Sequence, residues 1–459
     1  MTKGRASTIA AISTPRGSGA IGIVRLSGPD AAQIVKRAFV PYGKTPLDKV
    51  RSHALTLGRL VDPADGTTVD ECLCAVMRAP RTYTGEDVVE LNCHGGAYLC
   101  ERALDILLAC GAEPAEPGEF TKRAFLNGRL DLTRAEAVAD LIAARGAAAA
   151  ANAAAQLAGG MQGRISALRG ELVRLNADIL VGVEYPDEDI ETAEVGAVLN
   201  TLRNILDKIN KLYSSFELGR AMTEGIGTAI VGRPNVGKSS LLNALAGCER
   251  AIVTPAAGTT RDVLEQTVRL RRALLNLSDT AGIREGGDDI EAEGIRRARA
   301  AAEGCELALC VFDGSEPLTA EDFEVVRLTG GKTRVAVINK RDLPSKIDKE
   351  YISREFKHTV YISALKNEGI DDLRAGIERA LDLSDDDGGG VVTSRRQRKC
   401  LAEAAEHIAC AVSSLEGGFG ADIVTVDLDG AADALGRLTG ESASQSVIDD
   451  IFSRFCLGK

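Results

Sequence analysis

Eight residues near the middle of the chain could grip a polyphosphate. Gly232-Arg233-Pro234-Asn235-Val236-Gly237-Lys238-Ser239 matches G-x-x-x-x-G-K-[ST] in full. The run follows the short apolar strand Ala229-Ile230-Val231 and opens the helical stretch Ser240-Leu241-Leu242-Asn243-Ala244-Leu245. In that setting the glycines let backbone N–H groups surround phosphate oxygens at a helix N-terminus. Lys238 brings a point charge to the outer phosphates, and the Ser239 hydroxyl can ligate Mg²⁺.

Three further segments stand where a nucleotide-binding sheet needs them. Asp279-Thr280-Ala281-Gly282 ends the strand Leu274–Leu277. There Asp279 can hold the outer shell of Mg²⁺, and the Gly282 N–H can sense the terminal phosphate. Asn339-Lys340-Arg341-Asp342 ends the strand Val335–Ile338. A carboxylate at that position can accept both N1–H and N2–H₂ of guanine, an edge that adenine lacks. Ser363-Ala364-Leu365 follows Val360-Tyr361-Ile362. All three lie at carboxyl ends of strands, the ligand edge of an open α/β sheet. Between the first helix and the next strand, Thr254-Pro255-Ala256-Ala257-Gly258-Thr259-Thr260 offers Thr260 as a second Mg²⁺ hydroxyl. In this order the segments point to GTP as substrate and argue against an ATPase. The residue after Gly282 is Ile283, where many small GTPases carry the glutamine that orients water. Another group must therefore position the nucleophile.

These loops need scaffolding. From about 225 to 382 strands alternate with helices, the pattern of a doubly wound sheet. Before it, residues 1 to about 120 read as mixed α/β. Thr8–Ile12 and Ile21–Leu26 look like strands joined by the turn 15–19, with further strands at Glu71–Met77 and Asp87–Cys93 and a helix over Tyr98–Leu108. The alanine-rich run Ala143–Ala158 predicts a helix. Helical stripes follow at Leu168, Leu172, Leu175 and Ile179, at Val198, Leu202, Ile205 and Ile209, and again at Leu401, Ile408 and Leu415. Breaks at 184–189 and 384–390 bracket the α/β block. The simplest account is one domain inserted into a helical one.

The 459 residues allow two to four domains. The net charge is −11, so any RNA partner must be met by a local basic patch. Trp is absent, which leaves few stacking platforms for single strands. The eleven cysteines lack CxxC spacing and read as free thiols of a reducing, cytoplasmic compartment. No run of about 18 apolar residues exists, which predicts no membrane span.

The chain closely resembles the MnmE (TrmE) family of tRNA-modifying GTPases. Besides the loops above, the resemblance rests on Tyr83-Thr84-Gly85-Glu86-Asp87-Val88-Val89-Glu90, His94-Gly95-Gly96, the run Pro117–Gly128 and the tail Phe455-Cys456-Leu457-Gly458-Lys459. It implies α/β plus α architecture: a folate-binding α+β N-terminal domain (1–122), a helical domain in two parts (123–222 and 383–459) and an inserted Ras-like P-loop GTPase domain (223–382). It implies a homodimer joined through the N-terminal domains. With an MnmG-like flavoprotein, in a heterotetramer, such proteins place an aminomethyl or carboxymethylaminomethyl group on carbon 5 of the wobble uridine of certain tRNAs. A 5-formyl- or 5,10-methylene-tetrahydrofolate supplies the carbon. The family's folate contacts fall on Arg25, Glu90, Arg129 (usually Lys) and Lys459. Its K⁺ ligands fall on Asn235, Thr254, Ala256 and Thr259, and its water-orienting carboxylate on Glu291. Cys456 reads either as a reactive thiol or as a semi-buried one, and His94 as structural or catalytic. The alternative is an RNA- or ribosome-associated GTPase switch without modification chemistry.

Overall fold

The computed structural model describes residues 7–15, 17–184, 195–247, 266–278, 304–383 and 390–458. The chain forms two compact units, Met1–Ala139 with Leu157–Leu199 and Glu406–Lys459, and Asp140–Gln156 with Asn200–Ala405.

The first unit is built on a seven-stranded sheet of β1 (Ile9–Ile12), β2 (Ile21–Ser27), β3 (Phe39–Pro41), β4 (Ala54–Val61), β5 (Thr68–Met77), β6 (Val88–His94) and β7 (Glu113–Pro114), ordered β3-β4-β5-β6-β2-β1-β7. All pairs are antiparallel except β1 with β7. Period-two alternation decides its faces. Val24, Leu26, Cys72, Cys74, Val89 and Leu91 point to a core closed by Ala31, Ile34 and Val35 of helix Ala31–Ala38 and by Ala103, Ile106 and Leu107 of helix Ala97–Ala109. The alternate residues Arg25 and Glu90 stand on the other face as cross-strand partners. In the same unit helix Thr425–Thr439 packs on helix Gly160–Glu184.

The second unit carries a six-stranded sheet of β8 (Ile226–Val231), β9 (Gln266–Arg269), β10 (Leu274–Ser278), β11 (Leu307–Asp313), β12 (Thr333–Asn339) and β13 (Thr359–Tyr361), ordered β13-β12-β11-β8-β10-β9. Only β9 runs antiparallel. Both faces are covered, so the central β11 is buried along its whole length and reads as a nearly continuous apolar run. Leu307, Leu309 and Val311 enter one core, and Ala308, Cys310 and Phe312 the other. This is the Ras-like doubly wound arrangement expected of the P-loop block.

The helices foreseen from the three leucine-rich stripes appear as Gly160–Glu184, Val195–Ser214 and Arg395–Glu416. The alanine-rich run differs. Helix Leu132–Ala143 stops, residues 144–146 are not helical, and a new helix spans Ala147–Leu157. Gly146 is the weakest helix former in the run, and it passes close to Leu274, whose Cδ2 would lie 3.5 Å from a Cβ placed there. Among the described residues ten cysteines are free thiols, eight of them buried, with Cys410 and Cys456 exposed. No helix among the described residues is long and apolar enough to cross a membrane.

Candidate functional site: a phosphate loop and a cross-strand ion pair

The phosphate loop leaves β8 and enters helix Lys238–Gly247. Two of its residues are left-handed, Asn235 at φ 63° and Gly237 at φ 99°. Asn tolerates that region better than most residues. At Gly237 a side chain is excluded as well as strained, because a Cβ would sit 2.2 Å from Asn339 Nδ2. Lys238 donates from Nζ to the carbonyls of Gly232 and Arg233, each at 2.8 Å. Burial lowers its pKa, with Glu321 opposing. Ser239 and Ser240 are exposed at the helix start, and so is Asn235. Val236 is buried.

Asn339, at the end of β12, ties the loops together. Its Nδ2 donates to the Val236 carbonyl at 2.8 Å, and its Oδ1 accepts from the Ala364 N–H at 3.0 Å. One buried carboxamide thus joins the phosphate loop to the Ser363–Leu365 loop. Lys340 is left-handed at φ 64°, an uncommon state for a residue with a long side chain. Its ammonium meets Asp313 at 2.5 Å. Burial pushes the Asp313 carboxyl up, but Lys340 and Ser315 outweigh it and leave its pKa below the ordinary value. Arg341 is exposed, and its N–H donates to the Ile362 carbonyl at 2.9 Å. The neighbouring Ser363 hydroxyl holds the Asp342 carboxyl below its usual range, with Lys366 contributing from 3.8 Å. These contacts favour the carboxylate form of Asp342. Leu365 is 86% exposed and free to cover a ligand's ring face.

Thr254, Pro255, Ala256, Ala257, Gly258, Thr259, Thr260, Asp279, Thr280, Ala281, Gly282, Glu291 and Lys459 lie outside the described residues. Two groups near the loop escaped the motif reading. Asp313 closes β11 as Asn339 closes β12, in register with it. Its signal was a carboxylate ending an apolar strand. Arg233, inside the loop, is clamped by Glu316 and by Asp322 at 3.3 Å. Asp322 also closes the capping box of helix Ala320–Leu328 with Thr319.

The second polar cluster lies on the seven-stranded sheet. Arg25 Nε donates to Glu90 Oε1 at 2.8 Å, with both side chains about four-fifths buried. The guanidinium also reaches the Gly458 carbonyl at 3.4 Å, to which Ser13 donates at 3.0 Å. It stands 5.9 Å from the ring centre of Tyr83 and 5.8 Å from that of Phe120. Arg129 is exposed on a turn. Asn127 holds that turn to the Thr84 carbonyl at 2.8 Å, and Thr84 meets Ser27 of β2 at 2.7 Å. Arg123 braces the cluster through Glu86 and Glu119. Tyr83, Phe120 and Arg123 all belong to the runs that carried the resemblance, although none was singled out. At the far end of β6, His94 Nδ1 meets Asp70 at 2.6 Å, and this bond raises the His94 pKa.

Two family models match the chain, one described as "GTP-binding protein TrmE N-terminus" over residues 8–129 and one as "MnmE helical domain" over residues 132–456. Among curated proteins, the tRNA modification GTPase MnmE of Lactobacillus delbrueckii subsp. bulgaricus is 45% identical over 98% of both chains. Those of Thermoanaerobacter pseudethanolicus, at 42%, and of Latilactobacillus sakei subsp. sakei, at 44%, each cover 98% of this chain and 99% and 98% of their own length.

Proposed function

The chain belongs to the MnmE family, and from that premise we propose that it is a GTP-hydrolysing enzyme of tRNA modification. With a flavoprotein of the MnmG type it places an aminomethyl or carboxymethylaminomethyl group on carbon 5 of the wobble uridine. The observation that carries the nucleotide half is the Asn339 carboxamide, which ties the phosphate loop to the Ser363–Leu365 loop at the carboxyl edge of the sheet.

In this reading the loop amides and Lys238 hold the phosphates, and Asp342 selects guanine. Ser239 and Thr260 would hold Mg²⁺. Asn235, Thr254, Ala256 and Thr259 would hold K⁺. Bound there, the cation supplies positive charge where negative charge develops, in place of an arginine finger. Glu291 orients the water that Ile283 cannot. The chain is read as four segments, 1–122, 123–222, 223–382 and 383–459, with the third inserted.

The Arg25–Glu90 cluster fits a folate. Glu90 can accept from the donor edge of a pterin, Arg25 can meet its ring oxygen or a carboxylate, and Tyr83 with Phe120 gives an apolar wall. Arg129 and Lys459 would reach the acidic tail. When bound, the folate supplies the one-carbon unit. The working form is a cytoplasmic homodimer joined through its N-terminal domains.

Mass spectrometry of tRNA nucleosides from a strain lacking this chain tests the reading. Loss of the carbon-5 modification at the wobble uridine is expected. Unchanged wobble uridines would overturn it and leave an RNA-associated switch.

A further inference from the structure

A chain of net charge −11 must meet RNA through a local cationic surface, and the six-stranded sheet carries one beside its edge strand. Residues 340–379 hold nine Lys and Arg against eight Asp and Glu, but the groove there is lined by four Lys and Arg against one Asp, a local balance of +3. Five of these eight carboxylates are already engaged: Asp342 by Lys366, Asp348 by the Tyr351 N–H that it caps, Glu355 by Arg334, Asp371 by Arg374 and Glu378 by the Arg272 N–H. The cations are less committed. Arg341, Lys349 and Arg379 are exposed, and none forms an ion pair with the described residues.

These three line one groove of about 550 Å³, within the size range of ligand sites. Tyr361 contributes an aromatic wall, with the Lys349 ammonium 5.8 Å from its ring centre. Asp372 is the one carboxylate among the lining residues. Lys340 borders the groove too, but its amine is held by Asp313. We propose that this groove binds the phosphate backbone of RNA, with Arg341, Lys349 and Arg379 each meeting phosphate oxygens. An acidic protein is the weaker fit. Protein interfaces are anchored by large side chains in desolvated pockets, and Leu343 is the groove's one exposed large apolar side chain. Phosphate contacts need only accessible cations.

The inference rests on the tRNA reading above, and the test separates the two. An unmodified tRNA transcript is titrated into the full-length protein from about 50 to about 300 mM KCl. The double variant Lys349→Ala/Arg379→Ala should bind roughly tenfold or more weakly at the low end, and the slope of log affinity against log salt should fall by about 1.4 to 1.8, the share of two phosphate contacts. GTP hydrolysis without tRNA should not change. The charge-keeping Lys349→Arg/Arg379→Lys variant should bind as the parent does. Equal affinity and slope in the alanine variant, with the parent binding tRNA, would overturn the groove and spare the function. A parent that binds no tRNA at any salt would also overturn the groove, while the function stands or falls with the wobble-uridine measurement above. A polyglutamate peptide whose binding is lost in the alanine variant, while tRNA binding stays, would reassign the groove to an acidic protein.

Discussion

The two sheets hold their polar groups by different means. At the carboxyl ends of β8 and β12, backbone does most of the work. Left-handed Asn235 and Gly237 shape the loop, Lys238 docks on two carbonyls, and Asn339 bonds one carbonyl and one N–H of separate loops. On the antiparallel sheet the corresponding cluster is side chain against side chain. Arg25 faces Glu90 across β2 and β6 over two aromatic rings, and the backbone contributes the Gly458 carbonyl. A backbone-built site is specified by residue types at fixed spacing. A side-chain-built site is specified by register between strands 65 residues apart.

The contrast can be broken by substitution. The largest effect is expected at Asp342→Asn. It disrupts two charge-assisted hydrogen bonds to guanine at about 1.5–3 kcal/mol each, so GTP should bind roughly 10²-fold or more weakly and xanthine nucleotides should gain. Titration with fluorescent GDP and XDP measures this, and unchanged GTP affinity would refute the assignment. Glu291→Ala should slow hydrolysis by roughly 10²-fold with binding nearly intact. In the parent, K⁺ should support hydrolysis and Na⁺ should substitute poorly. Equal steady-state rates in the two salts would instead favour an arginine finger from Arg261 or Arg284.

Asn339→Ala and Arg25→Ala test the contrast itself. Removing the carboxamide strands the Val236 carbonyl and the Ala364 N–H, at about 1–3 kcal/mol each if they stay dry. Thermal stability and GTP affinity should therefore fall together. Arg25→Ala should abolish most folate binding in calorimetry while moving the melting temperature by only a few degrees. A parent protein that binds no folate would remove the ligand from this cluster.

The smallest effect is a pH dependence. The Asp70 bond raises the folded pKa of His94 above its ordinary value of 6.5. The pair's stabilisation is thus fully present below about pH 6.5 and is lost as pH rises through the raised value. His94 is 69% exposed, so the change in stability should be slight. Asp70→Asn should return the His94 titration, followed by NMR, towards 6.5.

The same contrast explains what was legible in sequence. Gly237 and Lys238 could be singled out without a structure because the motif fixes their types, and at Gly237 the left-handed backbone and the nearby Asn339 amide exclude a side chain. Asn339 was placed in the right loop, but its part in tying two loops together depends on the distance between strand ends. The Arg233–Glu316–Asp322 clamp and the Arg123–Glu86 pair join charges 83, 89 and 37 residues apart, and nothing in their spacing marks them as partners. Arg25 and Glu90 came from resemblance alone. The helix break at residues 144–146 was hidden because alanine on both sides outweighed one glycine.

The Gly458 carbonyl has a consequence in time. It accepts from Ser13 and Arg25 across 445 and 433 residues of chain. At about 5–20 residues per second, a ribosome needs on the order of 20–90 s to travel from Arg25 to Gly458. Once β6 has followed, 65 residues after Arg25, the Arg25–Glu90 pair can form for the rest of that interval without its last backbone partner. Nascent chains are thus able to acquire the phosphate loop well before this cluster is whole.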